Sequence, residues 1–166
     1  MADLQATIAR VEEDERRLQF RSFSDDDAFT LGVQMRALAL ARGHAIAIDI
    51  ARGEQRLFHT ALPGTSAHNG MWIERKKRTV REWACSSYAV GLRFPLLDAP
   101  HTLETAPWMD PRSYTGSGGG FPIVVTGAGM VGTVAVSGLR HDLDHEFIVD
   151  ALEQFLGIGP AEQTEG

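Results

Sequence analysis

Two hydrophobic periods alternate along the chain. Near the start, Leu4, Ile8, Val11 and Leu18 keep helical spacing, while Glu12, Glu13, Asp14, Glu15, Arg16 and Arg17 fill the other face. The pattern predicts an amphipathic helix over roughly Asp3–Leu18. Ser24 stands three residues before Asp27, a capping-box spacing, and Asp25 and Asp26 suit the positive end of a helix. Ala28, Leu31, Met35, Leu38 and Ala39 then form the buried stripe of a second helix, which Gly43 stops. At His44–Ile50 the period drops to two: Ile46, Ile48 and Ile50 point one way, Ala45, Ala47 and Asp49 the other. Arg52-Gly53 makes a turn, and Gln55–Ala61 returns as the second strand of a hairpin.

Pro63-Gly64 ends that hairpin. Thr65, Ser66 or Asn69 can cap a third helix running to about Trp83, with Trp72, Ile73, Val80 and Trp83 on its inner side. Ser86–Phe94 reads as a further short helix. From Pro95 to Gly120 the pattern lapses, interrupted by Pro95, Pro100, Pro107 and Pro111, and connections of this length are usually functional or mobile. Gly116–Leu139 then supplies two apolar strands, Phe121–Thr126 and Met130–Ser137, joined by Gly127-Ala128-Gly129. Their β-branched composition fits a hairpin at the middle of a sheet. A last helix, capped by Asp142 or Asp144, buries Phe147, Ile148, Ala151, Leu152 and Phe155 and stops at Gly157. Residues 159–166 read as a disordered tail.

Hairpins are antiparallel, and the helix connecting them must pass over one face of the sheet. The expected fold is α/β in the α+β sense: one domain over residues 1–158, a central antiparallel sheet, and helices on both faces, the first and last included. Leu31, Leu38, Ile46, Ile48, Val124, Val134, Ile148 and Leu152 are its expected core.

Composition narrows the function only by exclusion. A net charge of −6 in 166 residues argues against a general nucleic-acid binder. Cys85 is the only cysteine, so no internal disulfide forms and a cytoplasmic setting is the simplest expectation. The charged start has no signal-peptide core, and no window has the roughly 18 apolar residues of a membrane span.

Candidate chemistry is sparse. Gly118-Gly119-Gly120 precedes a strand, the reverse of a dinucleotide fingerprint, and no P-loop occurs. These glycines permit either close backbone approach or a ligand cleft lined by bare N–H groups at Gly119 and Gly120. The basic run Glu74-Arg75-Lys76-Lys77-Arg78 is either a solvated helix face or the means to capture an anion, with Arg75 and Arg78 on one side. His141 and His145 are spaced i and i+4, as metal ligands on a helix can be, but His141 is expected to precede the helix and no third ligand is evident. His59, on a strand, is packed, exposed or a haem ligand. Ser137 lacks a nucleophile elbow and reads as a backbone cap or ligand contact. Cys85 reads as a buried, inert thiol.

Taken together, EEDERRLQF, IAIDI, LFHTALPGT, WIERKKRTV, SSYAVGLR, SGGGFPI, VGTVAVSGL and DHEFIVDAL resemble the UPF0303 group over about Leu4–Ile158. That group is similar to the wider haem-degrading-domain superfamily, with its GlcG-like and HbpS-like proteins and the PduO C-terminal domain. The shared core is Gly119–Ile123 and Val131–Gly138. The resemblance implies a profilin-like fold, assembly into dimers or larger rings, and haem or corrinoid as the ligand of some relatives. It implies a cleft beside the Gly-Gly-Phe-Pro strand, near Ser137 and the start of the last helix, and no axial haem ligand carries over. The expected site is Gly119, Gly120, Phe121, Ser137, Arg75 and Arg78. The expected function is binding of a small molecule, a haem-like tetrapyrrole or a small carboxylate. An oligomeric interaction or scaffold protein is the alternative, with Trp72, Trp83 and Trp108 as anchors; an enzymatic role rests on the family label alone.

Overall fold

The computed structural model describes residues 2–97 and 100–161. The elements in chain order are α1 (Ala2–Arg17), α2 (Asp25–Ala41), β1 (Ala47–Arg52), β2 (Gln55–Ala61), α3 (Ala67–Trp83), α4 (Ser87–Leu97), β3 (Gly120–Val125), β4 (Gly129–Ser137) and α5 (His141–Leu156). The strands form one antiparallel sheet in the order β2-β1-β4-β3. Each hairpin is therefore kept, and the two join through their inner strands β1 and β4.

Strand alternation sorts the faces. Ile46, Ile48 and Ile50 of the first hairpin, Val134 and Val136 of β4, and Phe121 and Ile123 of β3 share one core with Leu31 and Met35 of α2 and Phe147, Ile148 and Leu152 of α5. The other face carries small side chains. Ala47 and Ala135 pack on Ile73 of α3. Short side chains there let α3 lie close to the sheet, and that closeness brings two of its lysines down to strand level. Thus the basic run is not uniformly solvated: Lys76 and Lys77 are buried, whereas Arg78 is exposed.

Capping is legible at two helices. Ser24 and Ser66 are N-caps of α2 and α3, each in a reciprocal capping box with Asp27 or Asn69. At α5 the expectation fails. The N-cap position is Arg140, with no side-chain cap, and His141 is already helical. Asp144 lies inside the helix and accepts from the backbone N–H of Leu139 at 3.0 Å instead.

Other offsets have equally local causes. β1 begins at Ala47, because His44 is still tied to α2 through its N–H to the Ala39 carbonyl at 2.9 Å. The turn between β1 and β2 is Gly53-Glu54, with Arg52 still paired to Gln55. α4 runs through Pro95 to Leu97. Leu38 and Val124 are half-buried, Val124 lying beside the register shift after Ile123. α1 packs on α4 rather than over the sheet. Arg17 ties α1 to the far end of α5 through Glu153 and the carbonyl of Gly159. Of the expected tail, residues 162–166 lie outside the described residues.

Candidate functional site

One end of the sheet opens into a cleft of two adjoining chambers, about 280 and 340 Å³ in volume, which share Trp72, Ser117 and His141. α3 supplies His68, Trp72 and Lys76, one turn apart on a single helical stripe. β4 supplies Ser137 as its last residue, and α5 supplies His141 and Asp144 in its first turns. The second chamber is walled by Tyr88, Gly91 and Leu92 of α4 and closed by Thr102, Glu104 and Gly116 of the long connection. That connection thus forms a wall of the cleft.

The floor is a sealed ion pair. Lys76 Nζ stands 2.9 Å from Asp144 Oδ2 and donates to the Val136 carbonyl at 2.8 Å, with both side chains about 97% buried or more. Burial lowers the Lys76 ammonium and raises the Asp144 carboxyl from their ordinary values, and their mutual attraction opposes both shifts. Such a pair holds α3, β4 and α5 at one point. The neighbouring Lys77 reaches Asp49, which is fully buried on β1 and also accepts from Arg56 at 2.6 Å.

Gly119 and Gly120 stand behind this floor. A Cβ on Gly119, whose φ is +113°, would lie 2.7 Å from Lys76 Nζ and from the Val136 carbonyl. Close approach is therefore what this glycine allows. The Gly120 N–H is not bare: it donates to Ser87 Oγ at 3.0 Å. Phe121 is fully buried on the opposite face. Of the expected residues, Ser137 lines the cleft. Arg75 lies with its guanidinium 4.1 Å over the Trp72 ring and donates to the Tyr114 carbonyl. Arg78 does not line either chamber. His68, Asn69, Trp72, Lys76, Tyr88, Ser117, His141 and Asp144 are the additions; their signals in the sequence were the helical spacing of His68, Trp72 and Lys76 and the place of His141 and Asp144 at the start of the last helix.

The hydrogen bonds of the cleft histidines favour one tautomer for each ring. The indole N–H of Trp72 donates to His68 Nε2 at 3.0 Å, so the His68 proton sits on Nδ1. The Gly118 N–H points at His141 Nδ1 over a long 3.5 Å, a contact that favours the tautomer with the proton on Nε2. Asn69 Nδ2 donates to Ser137 Oγ at 3.4 Å, leaving the hydroxyl proton free to donate. Behind Tyr88, whose ring centre lies 5.0 Å away, His145 is fully buried with neither nitrogen hydrogen-bonded, and desolvation pushes its pKa down to about 3. His59 is 3.5 Å from Asp49 on β2 and lines neither chamber. Among the described residues no group of three or more metal-binding side chains occurs. Cys85 is half-buried rather than buried, and partial desolvation, with Glu15 nearby, pushes its pKa up to about 11.

Comparison with known proteins gives the chain's family and fold relatives. The chain is 48% identical over 151 residues to a UPF0303 protein of Streptomyces coelicolor, covering 91% of this chain and 94% of that one. Its structure is similar to the crystal structure of the Ybr137w protein, with a TM-score of 0.84 and 26% identity over 94% of this chain and 93% of that one. It shares its fold with PduOC, solved as a haem complex, at a TM-score of 0.67 and 14% identity, covering 85% and 99% of the two chains. The model of the family described as haem degrading protein HbpS-like matches residues 23–153, and the chain belongs to that family.

Proposed function

We propose that this protein binds a small molecule with a flat apolar body in the cleft between α3, α4 and the start of α5. The carrying observation is the pair of connected chambers, one polar and floored by the Lys76–Asp144 pair, the other walled by Trp72, Tyr88 and Leu92. Their size is that of ordinary ligand clefts, about 300–1,000 Å³. Trp72 and Tyr88 offer aromatic walls to a planar ring system. Haem and related tetrapyrroles belong to this ligand class, and the family assignment and the haem-bound fold relative favour them.

The hydrogen bonds of the cleft histidines compete with an axial bond to the iron of a haem. An axial nitrogen needs a free lone pair, and His68 Nε2 and His141 Nδ1 already use theirs as acceptors. The remaining nitrogen of each carries a proton. His145, whose nitrogens are unengaged, is sealed from the cleft. Tetrapyrrole binding here runs through ring faces and acidic side groups. The proposal is binding of such a molecule and does not extend to its breakdown.

Ser117 lines both chambers, so Ser117→Trp fills both. Spectroscopic titration with hemin should be saturable for the parent protein and weakened at least about tenfold in a folded Ser117→Trp variant. Equal affinity in the two would move the site elsewhere.

A second reading, an oligomeric interaction protein, is favoured by Phe29, Val33 and Leu40, which stand exposed along α2. Sedimentation at micromolar concentration checks it; a monomer would exclude homo-oligomeric assembly through this face.

A further inference from the structure

We infer that the cleft grips its ligand by a carboxylate group, through an array of N–H and O–H donors, and that binding does not depend on a metal in the ligand. The inference rests on the cleft being the binding site and names what the cleft recognises.

Three donors face the polar chamber. His68 offers Nδ1–H, His141 offers Nε2–H, and Ser137 offers its hydroxyl proton, all lining the same polar chamber. The acidic groups of the cleft are partly engaged from within, through both oxygens of Asp144 and through Oε1 of Glu104. Asp144 accepts from Leu139 through Oδ1 and from Lys76 through Oδ2. Glu104 Oε1 accepts from the Thr115 hydroxyl at 3.0 Å and from the Gly116 N–H at 2.6 Å. What is missing from the arrangement is an acceptor. A carboxylate has two oxygens with about four lone-pair positions and makes stronger bonds than a neutral acceptor.

Charge selects a carboxylate over a phosphate. The only ammonium in the polar chamber, that of Lys76, is already balanced by Asp144. A dianionic phosphate would need a cation of its own, whereas a single negative charge is served by neutral donors. The guanidinium of Arg75, held over Trp72, stands next to the chamber without lining it. Bound this way, the carboxylate sits near Ser137 and His141, and the apolar body extends past Ser117 toward Tyr88 and Leu92.

The test uses the full chain and three porphyrins, read by their absorbance and fluorescence: hemin, metal-free protoporphyrin IX, and protoporphyrin IX dimethyl ester. Hemin and protoporphyrin IX should bind with dissociation constants within about threefold of each other, and the ester should bind at least about tenfold more weakly. His141 is exposed at the first position of α5, so its replacement leaves the core intact. His141→Ala should weaken protoporphyrin IX about tenfold, while His141→Gln, which keeps an N–H donor, should stay within about threefold of the parent. Two results would overturn the inference and leave the cleft standing: an ester that binds as well as the acid, or hemin that binds far more tightly than protoporphyrin IX with a Soret change lost in both variants. If no porphyrin binds, and calorimetry with benzoate shows no heat, the cleft reading fails together with this one.

Discussion

Lys76 and Asp144 decide the cleft at the scale of single residues. Both are removed from water, and burial works against each charge. Removing one partner strands the other, so Lys76→Met should lose about 3–5 kcal/mol in urea unfolding, whereas Lys76→Met with Asp144→Leu should recover most of that loss. His145 gives a separate signature. Its imidazole titrates near 6.5 when unfolded and at about 3 when folded. Between those values the unfolded chain binds the extra proton, so stability falls as pH falls, by about 1.4 kcal/mol per pH unit from this group. His145→Leu should flatten the pH 6 to 4 limb by about that slope relative to the parent. Equal slopes in the two proteins would mean that the ring is wet or partnered. None of this was legible in sequence. Lys76 and Lys77 stand in a run of charges that looks solvated, and it is small residues elsewhere in the chain, Gly119 and Gly120 against Lys76 and Ala47 and Ala135 against Ile73, that let the helix come this close.

Local rules governed most elements and failed where a distant partner took over. Ser24 and Ser66 follow the capping box, and both helices start where the spacing puts them. α5 starts at a position with no side-chain cap, because Asp144 reaches back from inside the helix to Leu139 while also holding Lys76 across the sheet. No pattern within residues 140–145 encodes that double duty. Placing a capping hydroxyl there tests the account: Arg140→Ser should raise stability by about 1 kcal/mol in thermal or chemical unfolding. A loss instead would mean that Arg140, paired to Asp142, matters more than the free helix end. The glycine run shows the same division. Its strand and hairpin were legible, whereas the choice between open cleft and close approach depended on where α3 lies, and α3 lies against Gly119 and Gly120.

For the whole molecule, two hairpins joined through β1 and β4 give a sheet with an apolar face for α2 and α5 and a small-residue face for α3. The cleft forms where α3, α4, α5 and the long connection meet at one end of that sheet. Its lining is drawn from short segments far apart in sequence, which is why the expected site shares only Ser137 with it, counted Arg75, which stands at the margin, and left out His68, while His141 was weighed only as a metal ligand. The central claim is that His68 and His141 face the cleft as donors. Long-range proton–nitrogen correlation NMR of the histidine rings reads this directly. We expect the proton on Nδ1 of His68 and on Nε2 of His141, with both ring signals moving when protoporphyrin IX is added. A bare Nδ1 on His68 or a bare Nε2 on His141, or two rings that stay unmoved at saturating porphyrin, would contradict the account.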